Sequence, residues 1–185
     1  MSQLQQIRVA IIALDGFEEA ELTEPKQALE QAGAKVDVIS AQPGEIQGFR
    51  HHDKAGKVRV DRTLDEASPN EYDALMLPGG ALNADNARAN PKVRQFIREM
   101  DRAGKPIAAI CHAPWELVSA EMVRGRKVTS WHTVQDDIRN AGGEWVDREV
   151  VVDQNLVTSR GPQDLPAFNR EMVALFSRVP VEAHT

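Results

Sequence analysis

The chain is 185 residues long, with 42% hydrophobic and 27% charged residues, a balance that argues against a disordered or membrane-embedded protein. Its formal net charge is -6 and acidic and basic residues are interspersed, so no broad basic surface is available to bind nucleic acid. Length and composition therefore predict one domain over residues 1–185, with no nucleic-acid partner.

The N-terminal segment MSQLQQIRVAIIAL has no basic region followed by a long apolar run, so it does not predict a secretory signal. No stretch approaches the roughly 20 apolar residues that span a bilayer. Cys111 is the only cysteine, so an internal disulfide is impossible and the thiol is free. We expect a cytoplasmic protein that does not bind membranes.

The first half of the chain alternates between strand and helix patterns. Residues 7–14 are nearly all apolar and rich in β-branched side chains, which predicts a strand buried on both faces of a parallel sheet. A helix is predicted to follow as far as Ala32, with Gly33 as its stop and Pro25 marking a short first turn or a kink. The next predictions are a strand at 35–40, a turn at 43–48 and an exposed edge strand at 56–64.

The second half continues the alternation. Buried strands are predicted at 72–77 and 105–111, and strand-like residues follow at 127–130. Helices are predicted at 91–104, 112–123, 132–143 and 162–179, a hairpin at 144–160 that turns at 153–155, and a frayed tail at 180–185. Buried strands that alternate with amphipathic helices predict an α/β fold with a mostly parallel sheet covered by helices on both faces.

Ligands of such folds bind at the carboxyl ends of the strands. Three polar or glycine-rich segments follow predicted strands there: DGFEEAE after Leu14, PGGALNAD after Leu77 and CHAP after Ile110. We therefore expect these three segments to form the functional site.

Cys111 directly follows a predicted buried strand and precedes a predicted helix. A residue on such a sharp turn is thrust out of the sheet, and small neighbours such as Ala109 and Ala113 let the backbone pass close to itself. The helix N-terminus favours the thiolate, which is the better nucleophile. The alternative is a small buried hydrophobic residue, which is how free cysteine usually behaves. His112 is expected to orient a neighbour or to donate its backbone N–H.

Four carboxylates, Asp15, Glu18, Glu19 and Glu21, follow the first strand. A helix dipole stabilises acids at this position in any protein, so most of the cluster requires no function. One of them is expected to share a proton with the strand-end thiol, kept partly protonated by burial and by the nearby anion. Glu18 and Glu21 share a helical face, whereas Glu19 points elsewhere.

The glycines of the Pro-Gly-Gly turn, Gly79 and Gly80, allow backbone N–H groups to approach an anionic oxygen, as an oxyanion hole requires. The alternative is a tight turn that needs positive φ and nothing more. No pattern matches a metal site, and we expect His51 and His52 to lie in a solvated loop rather than to bind a metal. No cofactor is predicted.

The strongest signal is a set of six ordered segments: GFEEAEL, DALMLPGG, AICHAPWEL, RGRKVTSW, DDIRNAGGEWVDREVVVD and LVTSRGPQDL. Together they resemble the PfpI family, the intracellular-protease and deglycase-like branch of the class I glutamine amidotransferase-like superfamily, which also contains the parkinsonism-associated protein. The resemblance covers a core of about residues 7–177. It implies a flavodoxin-like three-layer sandwich with a nucleophile elbow.

The resemblance also implies roles for residues at the strand ends. Cys111 would be the nucleophile, His112 the histidine that follows it, and Glu18 in GFEE the acid. The backbone of Gly80 and His112 would form the oxyanion hole. In close relatives a carboxylate from a neighbouring subunit completes a Cys-His-acid arrangement, and its nearest match here is Asp85. Further pocket candidates are Glu21, Gly79, Trp115 and His132.

Two of these candidates leave alternatives open. Trp115 replaces a residue that is commonly polar beside the elbow, and it is expected either to narrow or cap the pocket or only to pack its helix. His132 and Trp131 are expected either to line the cleft or to lie at the surface.

Members of the family are described as peptidases, glyoxalases, deglycases, chaperones and oxidative-stress proteins, so the resemblance determines the fold better than the reaction. The leading hypothesis is an enzyme in which Cys111 attacks small reactive carbonyls or their adducts on proteins and peptides, while Glu18 moves a proton. The alternatives are an intracellular cysteine peptidase and a redox-sensing or chaperone-like stress protein with an oxidisable Cys111. The resemblance also implies a homo-oligomer, either a dimer or a hexamer.

Overall fold

The computed structural model describes residues 3–180 of the chain. Its strands are β1 (Arg8–Ile12), β2 (Phe17–Glu18), β3 (Lys35–Ser40), β4 (Glu45–Arg50), β5 (Asp53–Arg59), β6 (Arg62–Thr63), β7 (Ala74–Leu77), β8 (Ile107–Ile110), β9 (Lys127–Val128), β10 (Glu144–Trp145), β11 (Val151–Asp153) and β12 (Leu156–Ser159). Its α-helices are α1 (Glu19–Gln31), α2 (Ala81–Ala89), α3 (Pro91–Arg102), α4 (Pro114–Ser119), α5 (Gln135–Asn140) and α6 (Leu165–Phe176). Short 3-10 helices lie at Pro69–Glu71, His132–Val134 and Pro162–Asp164.

The main sheet has the strand order β11-β12-β8-β7-β1-β3-β6. Every neighbouring pair is parallel except β11 with β12. These two strands form only the second part of the hairpin predicted at 144–160, because β10 pairs with β9 instead. Successive side chains of a strand point to opposite faces, so on β1 Ala10 and Ile12 join one hydrophobic cluster while Val9 and Ile11 join the other. The sheet therefore has a buried core on each face, and the predicted α/β fold is confirmed.

Helices cover both faces because each presents one apolar side to the sheet. On one face the cluster includes Leu22 of α1 and Phe168 of α6. On the other it includes Phe96 of α3, Leu117 of α4 and Ile138 of α5. The three layers leave the carboxyl ends of β1, β7 and β8 side by side at one edge of the fold.

A second, small sheet contains β2, β4 and β5. The prediction was wrong here in two respects: the turn expected at 43–48 contains most of β4, and the edge strand expected at 56–64 divides between β5 and β6. Gly48, one of the residues that suggested a turn, lies inside β4 because its neighbours pack too closely to leave room for a side chain. A Cβ atom on Gly48 would lie 3.1 Å from the Phe17 ring and 2.9 Å from the Gly56 carbonyl oxygen.

Three further differences concern short elements. Helix α2 was not predicted, because its buried residues are Asn83, Ala84 and Ala87 and it lacks a stripe of large apolar side chains. Helix α1 contains Pro25, buried, inside the helix rather than at a separate first turn. The strand-like residues at 127–130 contribute β9, which pairs with β10 outside the main sheet.

Within residues 3–180, no helix combines the length and the apolar character needed to cross a lipid bilayer. Most of the tail that was predicted to fray, residues 181–185, lies outside the described residues.

Helix α4 carries a buried acid, Glu116, which is fully inaccessible to solvent. Neither carboxylate oxygen has a hydrogen-bond partner among residues 3–180. Burial raises the pKa of the Glu116 carboxyl well above its ordinary value, so the folded protein keeps a proton that the unfolded chain releases. Because the folded state then binds more protons, this residue makes folding less favourable as pH rises above the ordinary range of a carboxyl group.

The substitution Glu116→Gln is expected to raise the free energy of unfolding by about 1 to 3 kcal/mol at about pH 8, because an amide needs no proton to be buried. The gain should shrink toward about pH 5, where the wild-type carboxyl is closer to protonated in both states. Urea unfolding at both pH values measures the difference. The exposed Glu144→Gln serves as the control and should change stability by less than about 0.5 kcal/mol. An equal gain at the two pH values would contradict a buried titrating carboxyl.

Candidate active site

Cys111 follows β8 with a backbone φ of +64°, in the left-handed region that a non-glycine residue adopts only when its surroundings hold it there. Two backbone hydrogen bonds do so. The Cys111 N–H donates to the Ser159 carbonyl at 3.0 Å, and the Cys111 carbonyl accepts from the Trp131 N–H at 2.8 Å. The sharp turn predicted between strand and helix is therefore present, with α4 beginning three residues later at Pro114.

The Cys111 side chain is 7% exposed and lines a cleft of about 430 Å³ at the carboxyl ends of the central strands. The cleft brings together the three segments that were predicted to form the site. Its lining residues are Gly16, Glu18, Glu21, Phe49, His51, His52, Gly80, Ala81, Leu82, Cys111, His112, Trp131 and Pro162.

Glu21, rather than Glu18, is the carboxyl beside the cysteine. It is fully buried on α1, and its Oε1 accepts the Gly79 N–H at 3.0 Å. A Cβ atom on Gly79 would lie 2.5 Å from Glu21 Oε1 and 2.6 Å from Cys111 Cβ. Only glycine fits between the acid and the cysteine, so Gly79 is required for their close approach as well as for the turn.

Burial and, second, the charge of Glu18 raise the pKa of the Glu21 carboxyl to about 8. Burial and, second, the charge of Glu21 raise the pKa of the Cys111 thiol well above its ordinary value. Desolvation therefore disfavours the thiolate that was expected at this helix N-terminus. At neutral pH both groups hold their protons, and the Glu21 carboxyl is available as a proton donor.

The backbone N–H groups of Gly80 and His112 converge on the Cys111 sulfur. Their hydrogen bonds lower the pKa of the thiol, although burial has the larger, opposite effect. Gly80 has a φ of +92°, and a Cβ atom there would lie 2.3 Å from the Gly16 carbonyl oxygen, so this position requires glycine. Two N–H donors beside a nucleophile are the arrangement that stabilises an oxyanion.

The His112 ring lies next to the sulfur, with Nδ1 3.2 Å from Cys111 Sγ. Two indoles flank the ring: Trp131 stacks on it with 6.0 Å between ring centroids, and Trp115 meets it edge-on at 5.2 Å. Burial and, second, the charge of His132 lower the pKa of His112, so the ring is neutral at pH 7. A neutral imidazole at this distance is able to accept the thiol proton.

Four predicted residues lie outside the cleft lining, and one of them is Gly79, which lies between Glu21 and Cys111. Trp115 supports the histidine ring and donates its Nε1–H to Asp137 at 3.0 Å. His132 is exposed, beside the Trp131 ring. Asp85 is exposed on α2, and its contact with a neighbouring subunit stays a prediction. Among residues 3–180 no three His, Cys, Asp or Glu side chains cluster in a way that would hold a metal ion.

Glu18 and Glu19 hold the β4–β5 hairpin against the cleft. The Glu18 carboxylate accepts the His51 N–H at 3.1 Å, and Glu19 accepts from the Arg50 guanidinium at 3.0 Å and the Gly56 N–H at 2.7 Å. The hairpin therefore contributes part of the cleft wall, namely Phe49, His51 and His52. Both histidines lie in the exposed turn of the hairpin, as the predicted solvated loop requires. The sequence did not predict their place on the cleft wall, because this contact joins segments that are distant in the chain.

Comparison with known proteins finds relatives along almost the whole chain. Residues 7–175 match the family model described as DJ-1/PfpI family. The protein named Deglycase TK1284, from Thermococcus kodakarensis, is 46% identical over 169 residues, which cover 91% of this chain and 99% of that protein. Protein/nucleic acid deglycase 2 of Escherichia coli is 43% identical over 170 residues, which cover 91% of this chain and 96% of that protein.

A solved structure gives the same result for the fold. It is a two-domain protein from Anabaena variabilis with DJ-1/ThiJ/PfpI-like and ferritin-like domains, and it superposes with a TM-score of 0.87 at 32% identity. The alignment covers 97% of this chain and 52% of that one. The family resemblance predicted from the six sequence segments is confirmed.

The substitution Glu21→Gln is expected to lower the pH at which Cys111 becomes reactive, because it removes a negative charge beside the sulfur. Glu18→Gln is the matched control and should shift the thiol titration less, since Glu18 is not among the groups that change the pKa of the thiol. Alkylation rates with iodoacetamide between about pH 6 and pH 10 measure the titration. A larger shift in the Glu18 variant than in the Glu21 variant would show that Glu18, and not Glu21, is the acid beside the cysteine.

Proposed function

We propose that this chain, which belongs to the DJ-1/PfpI family, is a cysteine-dependent deglycase that removes reactive-carbonyl adducts from thiols and amines of proteins or small molecules. The observation that carries the proposal is the buried pair of Cys111 and protonated Glu21, which faces an open cleft beneath two backbone N–H donors. The names of the relatives that are 43% to 46% identical support the same class of reaction.

The first step is addition of the Cys111 sulfur to a carbonyl carbon. The thiol proton passes to His112 Nδ1, and the new S–C bond pushes the C=O π electrons onto the carbonyl oxygen. The N–H groups of Gly80 and His112 stabilise the resulting oxyanion. Glu21 then donates its proton to this oxygen, a role that fits a carboxyl still protonated at neutral pH.

A 2-oxoaldehyde such as methylglyoxal is a substrate that this site can convert without a redox cofactor. In the S–C adduct a hydrogen moves from the former aldehyde carbon to the neighbouring carbonyl carbon, so one carbon is oxidised to a thioester while the other is reduced to an alcohol. Water hydrolyses the thioester and returns the free thiol. Where the substrate is an adduct, its hydroxyl proton passes to the departing nitrogen or sulfur as the C–N or C–S bond breaks, which frees the amine or thiol and restores the aldehyde that Cys111 attacks. The balance is then one adduct plus one water giving one free amine or thiol and one 2-hydroxy acid.

The second candidate is a cysteine peptidase, which the 3.2 Å contact between Cys111 and His112 favours. Peptide cleavage needs a protonated histidine to protonate the leaving amine, and burial lowers the pKa of His112. A redox-sensing role is less well supported, because oxidation proceeds through the thiolate and burial raises the pKa of Cys111. The lowered pKa of His112 and the raised pKa of Cys111 therefore favour addition to an aldehyde or ketone over cleavage of a peptide bond.

We also propose that the chain forms a homo-oligomer, a dimer or a hexamer, in which Asp85 approaches the site of a neighbouring copy. Asp85 lies on the exposed side of α2, the helix that follows the Pro78–Gly80 turn, which we call the oxyanion turn. Leu82 on the same helix is 58% exposed and lines the cleft, as expected of a face that another subunit covers. Light scattering after size exclusion measures the oligomeric state of the wild type and of Asp85→Asn. An Asp85→Asn variant that assembles normally but forms less lactate would indicate a direct role in catalysis.

Removing the nucleophile provides the main test. Cys111→Ala is expected to lower the release of free thiol and lactate from methylglyoxal-treated N-acetylcysteine by at least about a hundredfold, because no other group on the site forms the S–C bond. Glu21→Gln should lower kcat by about a hundred- to ten-thousandfold. Proton NMR follows both products. Retained lactate formation in Cys111→Ala would refute the mechanism, and casein cleavage without lactate formation would favour the peptidase.

The pH dependence distinguishes the two acids. The wild-type kcat is expected to decline as pH rises past about 8, because Glu21 must hold the proton that it donates. Glu18→Gln removes the second cause of the raised pKa, so the decline should begin at lower pH while the maximal kcat changes by less than about tenfold. A loss of kcat in Glu18→Gln as large as in Glu21→Gln, at every pH, would make Glu18 the proton donor.

A further inference from the structure

Asn83 connects two of the three segments that form the site. It lies in the first turn of α2, is fully buried, and every polar group of its amide has a partner. Its Oδ1 accepts the Leu14 N–H at 2.7 Å. Its Nδ2 donates to the Pro78 carbonyl at 2.9 Å and to the Gly79 carbonyl at 3.0 Å. One side chain thus joins the segment after β1 to the oxyanion turn after β7.

The turn that Asn83 holds carries the groups on which the proposed chemistry depends. The Gly79 N–H donates to Glu21 Oε1, and the next N–H, that of Gly80, lowers the pKa of the Cys111 thiol. Besides Asn83, the Gly79 carbonyl accepts one longer hydrogen bond, from the Glu18 N–H at 3.3 Å. Rotation of the Pro78–Gly79 peptide would move the Gly79 N–H, and rotation of the Gly79–Gly80 peptide would move the Gly80 N–H. The amide of Asn83 opposes both rotations because it binds the carbonyl of each peptide.

The chemistry of the position calls for an amide. Two carbonyl oxygens need donors and one backbone N–H needs an acceptor, and a single asparagine provides all three. An aspartate would leave the two carbonyls facing a negative charge, and an apolar residue would leave all three backbone groups without this partner. An asparagine that only capped α2 would bind N–H groups of its own helix, but Asn83 makes no such bond, and Gly80 occupies the N-cap position.

We propose that Asn83 is a positioning residue that fixes the Pro78–Gly80 turn so that the Gly80 N–H points at the reacting sulfur and its oxyanion. The effect on turnover rests on the proposed deglycase function, whereas the effect on the cysteine does not. Donor alignment matters because an oxyanion-hole N–H contributes only at short distance and correct direction. Asn83 acts through Gly80 and does not touch the substrate.

The test compares Asn83→Leu, which keeps the volume, with Asn83→Ser, which leaves a smaller and still polar side chain. Asn86→Leu and Asn86→Ser are the matched controls, since Asn86 is exposed on the same helix and its Nδ2 donates to Leu82 O within that helix. Both Asn83 variants are expected to lower kcat about ten- to a hundredfold with KM changed by less than about threefold, part of the loss seen when an oxyanion donor is deleted. They should also raise the pH at which iodoacetamide alkylates Cys111.

The substrate-free alkylation separates this inference from the proposed function. A raised alkylation pH without any deglycase turnover, even in the wild type, would reject the proposed substrate and retain the role of Asn83. Folded Asn83 variants with wild-type alkylation and kcat would overturn it, and so would a lower melting temperature as the only change. If neither Asn83 variant folds while both Asn86 controls do, Asn83 is required for folding, and the proposed positioning role is overturned.

Discussion

The left-handed backbone of Cys111 is the constraint on which the rest of the site depends. A non-glycine residue in this conformation is destabilised by about 1 to 2 kcal/mol, so neighbouring segments must hold it there. Ser159 and Trp131 do so through one backbone hydrogen bond on each side of the cysteine. This backbone conformation directs the Cys111 sulfur out of the sheet and toward the cleft. The same turn places the His112 N–H beside the sulfur, so one backbone conformation positions both groups that the proposed mechanism uses as nucleophile and oxyanion donor.

Burial gives the neighbouring acid its chemical character. Gly79 lies between Glu21 and Cys111, and any side chain at this position would separate the carboxyl from the thiol. With Gly79 in place, the carboxyl and the thiol are both desolvated, and neither loses its proton readily at neutral pH. The site therefore favours a protonated acid and thiol over a preformed thiolate, and in the proposed mechanism the proton of the acid goes to the oxyanion. This electrostatic arrangement favours a neutral carbonyl as the reaction partner.

Segments far apart in the chain complete the cleft through hydrogen bonds to backbone groups. Glu18 and Glu19 hold the β4–β5 hairpin, and Asn83 holds the oxyanion turn. Consecutive acids in GFEE, with Glu21 beyond them, consequently perform different tasks: two fix a wall of the cleft and the third faces the nucleophile.

The sequence by itself determined the alternation of buried strands and amphipathic helices, the parallel sheet, and Cys111 on a turn after a central strand, because apolar periodicity and glycine placement are local signals. The sequence did not predict helix α2 or strand β4, because Ala-rich and glycine-containing segments lack apolar periodicity. Only the tertiary structure decided which acid faces the sulfur. Spacing put Glu18 and Glu21 on one helical face, but Glu18 turned out to end β2 while α1 begins one residue later. Burial of Glu21 and the contacts of Asn83 depend on packing between distant segments, which no local pattern records.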